Sequence, residues 1–372
     1  VSCSCYKCEP EEHLYGLPSS FGPCKGEMVF DPKSPCPERA LSDFCKPGDY
    51  ACQGYNETIT QQGWFYDLGD LNQSHPFVRE QQLKWISWFA KEFDIDALRL
   101  DTAAFMSFDF LSELQEAAGV PIIGEVTTTN LTYHAQFEAN PPPSGRAVLD
   151  GVLNFPLYFT AVAAFCHTWF PFSQGNLTFL GERMTVQTSS GLYKDLDTLG
   201  NFADNHDVER ITSSCLADES RILNAVAWTM LSKGAPIIYY GTEVYMTWQR
   251  ESFWTYGYHR EKPMYLFLKQ LNMLRKAHGL ALEGMEVVHT ADPRTLVFKR
   301  GSVWVYLNNL QATDSSVMYC GAVPPDPEGG KAWINVLSEE GPSLDGQFTG
   351  DCYRAKGSAP KILVQQYTRL QI

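Results

Sequence analysis

The sequence predicts an α/β protein with a parallel sheet, followed by a smaller antiparallel β domain. From residue 76 to residue 278, short apolar runs of strand length alternate with segments of helical periodicity. This alternation is typical of parallel strands joined by crossover helices. After residue 280 the apolar period changes to two, which indicates antiparallel strands with one buried face.

Each predicted element follows from its own pattern. Helical spacing covers residues 77–93, 108–118, 157–166, 220–231 and 263–278. The strands that alternate with these helices are predicted at residues 95–100, 120–123, 151–154, 199–203 and 236–240. In the β domain, strands are predicted at residues 295–299, 303–307, 332–337 and 362–367.

Composition and charge exclude several classes of protein. The chain has 372 residues, 44% of them hydrophobic, which indicates a folded protein and not a disordered one. Its 43 Asp and Glu residues exceed its 29 Lys and Arg residues, and no block of basic residues offers a surface for nucleic acid or anionic lipid. No apolar run approaches the roughly 20 residues needed to span a bilayer. We therefore expect no nucleic-acid partner and no membrane anchor.

The 11 cysteines are unevenly distributed. Seven fall within the first 52 residues, which are rich in Pro and Gly, and the others are Cys166, Cys215, Cys320 and Cys352. Four N-x-Ser/Thr sequons begin at Asn56, Asn72, Asn130 and Asn176. Together they indicate a disulfide-bonded, glycosylated protein of the secretory pathway. A metal site at Cys3-x-Cys5-x-x-Cys8 is the alternative, and Cys320 and Cys352 are the natural pair within the β domain.

Three acidic residues directly follow predicted strands. Asp101, Glu125 and Asp207 each come at the carboxyl end of a strand, the edge at which parallel α/β sheets place their active sites. Cleavage of a glycosidic bond needs one ionised carboxylate and one protonated carboxylic acid. Arg99, two residues before Asp101, would keep that carboxylate ionised, and the apolar strand before Glu125 would raise its pKa. For any one acid, capping of the following helix is the alternative.

The segments around these acids resemble a known family. Phe93-Asp-Ile-Asp-Ala-Leu-Arg-Leu-Asp-Thr102, Ile122-Ile-Gly-Glu-Val126 and Phe202-Ala-Asp-Asn-His-Asp207 are similar, in order and spacing, to three of the four signature segments of the α-amylase family of glycoside hydrolases. Val148-Leu-Asp-Gly-Val-Leu-Asn-Phe-Pro156 and Pro236-Ile-Ile-Tyr-Tyr-Gly-Thr-Glu243 add to the likeness, which is greatest to secreted fungal-type α-amylases.

The resemblance implies both a fold and roles for the residues. The family has a (β/α)8 TIM barrel with a small inserted domain and a C-terminal antiparallel β-sandwich. By resemblance, Asp101 is the nucleophile, Glu125 the general acid and base, and Asp207 the stabiliser of the transition state. Arg99 orients Asp101, while His206 and Arg250 bind substrate. No organic cofactor is implied.

The chain departs from the family pattern at its start. The first signature segment is absent, and only about five of eight βα units are readable, so we expect a fragment that begins inside the inserted domain. On this view residues 1–75 are a Cys-rich segment of that domain, residues 76–280 the later part of the barrel, and residues 281–372 the β-sandwich.

Other departures concern calcium and specificity. Asp70 matches a calcium-binding Asp of the family, and its carboxylate is a suitable ligand. However, Ala104 and Phe105 stand where the family has Lys-His, which leaves calcium retention open. Arg250 matches a substrate-binding Arg, but the family's Asp four residues earlier is Met246 here.

The leading hypothesis is a monomeric, secreted, retaining hydrolase of internal α-1,4 bonds in starch-like α-glucans. An exo-acting α-glucosidase or transglycosylase of the same family is the first alternative, because replacing Lys-His alters the leaving-group side. A non-catalytic glycan-binding protein that reuses the fold is the second.

Overall fold

The structure, a computed structural model, describes residues 6–9, 27–30, 71–138, 148–166, 175–327, 332–338, 341 and 343–366. Two compact units divide the chain. Unit 1 comprises residues 1–156 and 192–195, and unit 2 comprises residues 157–191 and 196–372. Within the described residues, no helix is both long enough and apolar enough to cross a membrane.

Unit 1 contains a three-stranded parallel sheet with its helices. An antiparallel pair, β1 (Tyr6–Glu9) and β2 (Glu27–Phe30), comes first in the chain. The strands of the parallel sheet lie in the order β3 (Leu98–Leu100), β4 (Ile122–Gly124) and β5 (Gly151–Val152). The helices of the unit are α1 (Pro76–Glu92), α2 (Phe108–Ala118) and α3 (Leu131–Ala135).

Polar side chains fix the helices of unit 1 to each other and to the sheet. Arg79 on α1 donates to Glu113 on α2 at 2.6 Å, and its guanidinium lies 5.5 Å from the ring centre of buried Phe110. Gln115 on α2 accepts hydrogen bonds from the backbone N–H groups of Ile122 and Asp150, both at 3.1 Å. One side chain thereby sets the starts of β4 and β5 relative to each other.

Unit 2 begins with helices around a short parallel pair. The helix α4 (Phe155–Cys166) starts at the end of unit 1 and continues into unit 2. The parallel strands are β6 (Gly200–Asn201) and β7 (Ala235–Pro236). The other helices are α5 (Leu177–Ser189), α6 (Ile211–Ser214), α7 (Glu219–Leu231) and α8 (Pro263–Ala277).

The core of this part of unit 2 is apolar and crosslinked. Trp228 on α7 is fully buried, and the rings of Tyr158 and Phe202 stack with centroids 4.7 Å apart. A disulfide joins Cys166 at the end of α4 to Cys215 just after α6. This pairing was not predicted from the sequence.

The C-terminal part of unit 2 is antiparallel, as predicted. A five-stranded sheet has the order β12 (Trp333–Asn335), β15 (Lys361–Gln365), β10 (Val303–Asn308), β9 (Thr295–Arg300) and β8 (Met285–Val288). A three-stranded sheet has the order β11 (Ser316–Cys320), β14 (Cys352–Lys356) and β13 (Gly346–Thr349). The predicted Cys320–Cys352 disulfide is confirmed, and it joins register partners on β11 and β14.

A buried polar network joins this β domain to α7 and to the segment after α8. Arg300 on β9 is fully buried and donates to the backbone carbonyls of Leu231, Ser232 and Leu280. On β10, the backbone N–H of Asn308 donates to the side chain of buried Asn224 at 2.9 Å. These contacts explain why α7 and the antiparallel sheets belong to one compact unit.

The α/β class and the C-terminal β domain are as predicted, but strand lengths differ and several elements were not predicted. The parallel strands are shorter than their apolar runs, for example residues 200 and 201 where residues 199–203 were expected. Hydrophobic runs continue past the hydrogen-bonded residues because the flanking backbone is also buried. In addition, the sequence did not predict the helices α3, α5 and α6 or the strands β1, β2, β8, β11, β13 and β14.

Candidate active site

Asp101 and Glu125 follow neighbouring strands of the unit 1 sheet. Leu100 and Gly124 are register partners at the ends of β3 and β4. The ladder extends one step further, because the backbone N–H of Glu125 donates to the carbonyl of Leu100 at 2.8 Å. Parallel pairing therefore brings the two acids to the same edge of the sheet.

Arg99 contacts both carboxylates. Its Nη1 lies 2.9 Å from Asp101 Oδ2, and its Nη2 lies 3.0 Å from Glu125 Oε2. The backbone N–H of Thr102 also donates to Glu125 Oε2, at 3.2 Å. Thr102 has φ +51°, a conformation that β-branched residues rarely adopt, and this backbone turn directs its N–H toward Glu125.

The two carboxyl groups have different environments. The side chain of Asp101 is 69% exposed, whereas that of Glu125 is 12% exposed. Burial raises the pKa of Glu125, and the neighbouring Asp101 raises it further, against the opposing effects of Thr102 and Arg99. Glu125 is thus the group better suited to hold a proton, in the direction predicted from the sequence.

Close packing surrounds the peptide before Glu125. A Cβ on Gly124 would lie 2.5 Å from Leu149 Cδ1 and 3.1 Å from the Cβ of Ala103, so glycine is the residue that fits there. Ala104, in the turn after Asp101, is also buried. The residue that stands where the family has Lys is therefore part of the core and does not face solvent.

In unit 2, His206, Asp207 and Arg250 form a second polar cluster. The segment after β6 turns at Asn205, whose Oδ1 accepts from the N–H groups of Asp207 at 2.8 Å and Val208 at 3.0 Å. His206 Nε2 lies 2.9 Å from Asp207 Oδ2. Arg250 donates to Asp207 Oδ1 at 2.8 Å and to the carbonyl of His206 at 3.1 Å.

Asp204, a buried acid three residues before Asp207, was not recognised from the sequence. Asp204 is 3% exposed, and it accepts hydrogen bonds from the N–H of Ile211 and from Thr242 Oγ1, both at 3.2 Å. Arg210 Nη1 lies 3.9 Å away. Burial raises the pKa of Asp204 to about 6, although these neighbours oppose the shift. The available signal in the sequence was that Asp204 directly follows the apolar residues Phe202 and Ala203.

Arg210 was missed as well. Its side chain is fully buried, and it donates to the carbonyls of Tyr240 at 2.6 Å, Trp248 at 3.1 Å and Gln249 at 3.3 Å. Its guanidinium lies 4.0 Å from the ring centre of Tyr239. The arginine therefore connects the strand-end segment to the loop that contains Arg250.

The remaining predicted residues have varied positions. Asn130 and Asn176 are helix N-caps, half-buried and exposed respectively, and Asn72 is half-buried. Asp70 and Asn56 lie outside the described residues. Across the described part of the chain, no three His, Cys, Asp or Glu side chains are grouped as metal ligands. Met246 is fully buried, and its sulfur occupies the space that a Cβ on Gly241 would need.

Comparison with curated proteins places these segments among α-amylases. α-Amylase 1 of Lipomyces kononenkoae is 32% identical over 249 residues, which are 64% of this chain and 36% of that protein. The α-amylase of Saccharomycopsis fibuligera is 28% identical over 289 residues, 75% of this chain and 55% of that protein. The chain thus spans about a third to about half of the length of these relatives.

Solved structures show the same fold at lower identity. An α-amylase from Malbranchea cinnamomea superposes with a TM-score of 0.69 at 24% identity, covering 83% of this chain and 65% of that one. An Anoxybacillus α-amylase gives 0.66 at 22% identity, covering 88% and 70%. The sequence profile of the α-amylase catalytic domain matches residues 54–270, more than half of the chain. The chain therefore belongs to the α-amylase catalytic-domain family of glycoside hydrolases.

Proposed function

We propose that the chain provides the catalytic residues of a retaining hydrolase that cleaves internal α-1,4-glucosidic bonds of starch- or glycogen-like polymers. The observation that carries the proposal is the contact of Arg99 with two carboxyl groups in contrasting environments. An exposed, cation-paired Asp101 suits a nucleophile, and a largely buried Glu125 with a raised pKa suits a proton donor.

The proposed reaction has two displacement steps. In the first, a carboxylate oxygen of Asp101 attacks the anomeric carbon while Glu125 donates its proton to the departing glycosidic oxygen. In the second, Glu125 takes a proton from water, the water oxygen bonds to the anomeric carbon, and Asp101 leaves. Two inversions retain the configuration. By resemblance, Asp207 stabilises the positive charge of the transition state, and His206 and Arg250 bind the sugar.

Substitution of the two acids tests this proposal. We expect Asp101→Asn and Glu125→Gln each to lower the release of reducing ends from soluble starch by about 10³-fold. Asp96→Asn, which changes an exposed acid five residues before Asp101, is the matched control and should leave turnover unchanged. Glu125→Gln should lose least on an aryl maltoside with an acidic leaving group, which needs no proton. Unchanged starch hydrolysis in either catalytic variant would overturn the assignment.

Exo-cleavage or glycosyl transfer is the second candidate within the family. It is favoured by Ala104 and Phe105 in place of Lys-His, and by the burial of Ala104. Chromatography of the earliest products separates the candidates. Long oligosaccharides support endo-hydrolysis, whereas glucose alone or lengthened chains support the alternative. Glucan binding without turnover would instead support a non-catalytic protein.

Calcium has little support from the described residues. Asp70 is the one candidate ligand from the family pattern, and it lies outside them. Within them no group of three His, Cys, Asp or Glu side chains could hold a metal ion, and Ala104 and Phe105 replace the family's Lys-His. The described residues do not by themselves supply a calcium site, and no step of the proposed reaction is routed through calcium.

The remaining features of the proposal concern organisation and location. The Cys-rich segment 1–75, barrel portion 76–280 and β-sandwich 281–372 remain the proposed domains. Two disulfides, Cys166–Cys215 and Cys320–Cys352, support a secretory location. The exposed Asn176 is the most accessible described sequon, and its cap uses Oδ1, leaving the amide nitrogen for a glycan. We keep the monomeric state as part of the proposal.

A further inference from the structure

The loop that follows β7 contains two exposed tryptophans. Trp248 is 73% exposed and Trp254 is 70% exposed, whereas Trp228 in the same unit is fully buried. Trp248 lies two residues before Arg250, whose guanidinium contacts Asp207. An exposed indole so close in sequence to a residue at the candidate site is available to stack on a bound sugar.

Several side chains donate hydrogen bonds to the backbone around Trp248. Arg210 donates to the carbonyls of Trp248 and Gln249. Tyr239 Oη donates to the carbonyl of Gln249 at 2.8 Å, and Tyr240 Oη to the carbonyl of Glu251 at 2.9 Å. The indole is therefore exposed on a backbone that is fixed, so binding to it requires little ordering of the loop.

Arg210 is itself fixed. Its guanidinium lies 4.0 Å from the ring centre of Tyr239 and 4.9 Å from that of Tyr240, and these two rings also pack edge to face against each other. Its side chain thus contacts four residues of the segment 239–249, while its own backbone follows Asp207 by three residues. It connects the loop with the strand-end segment through one buried side chain.

We infer that Trp248 is a stacking platform for a glucose unit of the α-glucan beyond those at the cleaved bond, and that Arg210 is the positioning residue that fixes this platform. The flat face of an indole matches the apolar C–H face of a glucose ring, and the neighbouring Arg250 and Asp207 offer a donor and an acceptor for hydroxyl groups. The ligand is uncharged, so the net charge of −14 does not oppose it. This inference rests on the proposed function and adds a subsite to it.

Binding is measured on the full chain with Glu125→Gln as background, so that the sugar is not consumed. Calorimetry compares maltoheptaose with maltotriose. In this background we expect Trp248→Ala to weaken maltoheptaose binding about fivefold to tenfold and maltotriose binding much less, and Trp248→Tyr to restore most of the loss. Trp85→Ala, at an exposed tryptophan on α1, is the matched control and should leave both affinities unchanged.

A double-mutant cycle tests the role of Arg210. If Arg210 acts through the platform, Arg210→Lys weakens maltoheptaose binding in the Trp248 protein but adds little in the Trp248→Ala protein. Equal loss in both proteins would show that Arg210 is structural only. The platform alone would be overturned if Trp248→Ala left maltoheptaose affinity unchanged while the chain with Glu125 intact hydrolysed starch normally. Absence of both hydrolysis and binding in the unmutated chain would overturn the proposed function together with it.

Discussion

Arg99 Nη2 lies 3.0 Å from Glu125 Oε2, so a permanent cation contacts the carboxyl group that is proposed to donate a proton. Such a contact opposes protonation, and Thr102 opposes it too. Burial and the nearby Asp101 nevertheless keep the pKa of Glu125 above its ordinary value. The balance permits a proton donor that can also return to the charged form in the second step.

This balance predicts a change in the pH dependence of activity. The general acid must be protonated, so kcat/KM falls as pH rises through the pKa of Glu125. Replacing Arg99 by Leu removes a group that lowers this pKa, so the basic limb should move to higher pH. The dependence of kcat/KM on pH, with soluble starch as substrate, measures the position of the basic limb. Lys84→Leu, which removes an exposed cation on α1, is the control. A limb that stays in place or moves to lower pH would contradict the expectation.

The buried Asp204 predicts a pH-dependent stability. Its folded pKa of about 6 lies above the ordinary value of 3.8, so the unfolded chain releases this proton first. The free energy of unfolding therefore falls as the pH rises from about 4 to about 6, by roughly 3 kcal/mol in total. Asp204→Asn keeps an acceptor for Ile211 and should remove this part of the dependence. Urea unfolding at several pH values measures the difference between the two curves, and parallel curves would argue against it.

The Cys166–Cys215 disulfide is expected to stabilise unit 2 against unfolding. It closes a loop between residues 49 apart in the sequence. Replacing both cysteines by alanine should lower the free energy of unfolding by about 2–4 kcal/mol, because the unfolded chain regains conformational freedom. Thermal unfolding followed by circular dichroism measures the loss. Added reductant should lower the Tm of the unmutated chain further than that of the variant, and equal sensitivity would refute a role for this bond.

The buried hydrogen bonds of Arg300 predict that its substitution lowers the free energy of unfolding strongly. Four backbone carbonyls, those of Leu231, Ser232, Leu280 and Glu283, accept from this buried side chain, and burial lowers its pKa to about 10. Arg300→Met fills similar volume but leaves those carbonyls without a donor, so about 3 kcal/mol or more should be lost. Arg260→Met, at an exposed position, is the control. A loss below 1 kcal/mol by denaturant unfolding would show that the network contributes little.

The sequence was informative where local pattern determines position. Asp101 and Glu125 were expected to be neighbours because parallel strands end at one edge, and Arg99 contacts both. Arg210 was not recognised, since its carbonyl partners lie 30 to 39 residues away and carry no side-chain signal. The helix α5 was missed because Gly181 and Gln187 interrupt its apolar stripe. Glycine at 181 allows close packing there, since a Cβ would lie 3.2 Å from side-chain atoms of Val287 and Leu296.

The packing of Met246 against Gly241 has a consequence for how this loop can change. Gly241 has φ +90°, and the methionine side chain fills the space beside it. An aspartate at 246 would place a short, charged group in a buried position and leave a void beside Gly241, so Met246→Asp alone would destabilise the loop. Evolution of this loop toward the family pattern would thus pass through a destabilised intermediate, and an engineer would have to redesign the turn before the charge.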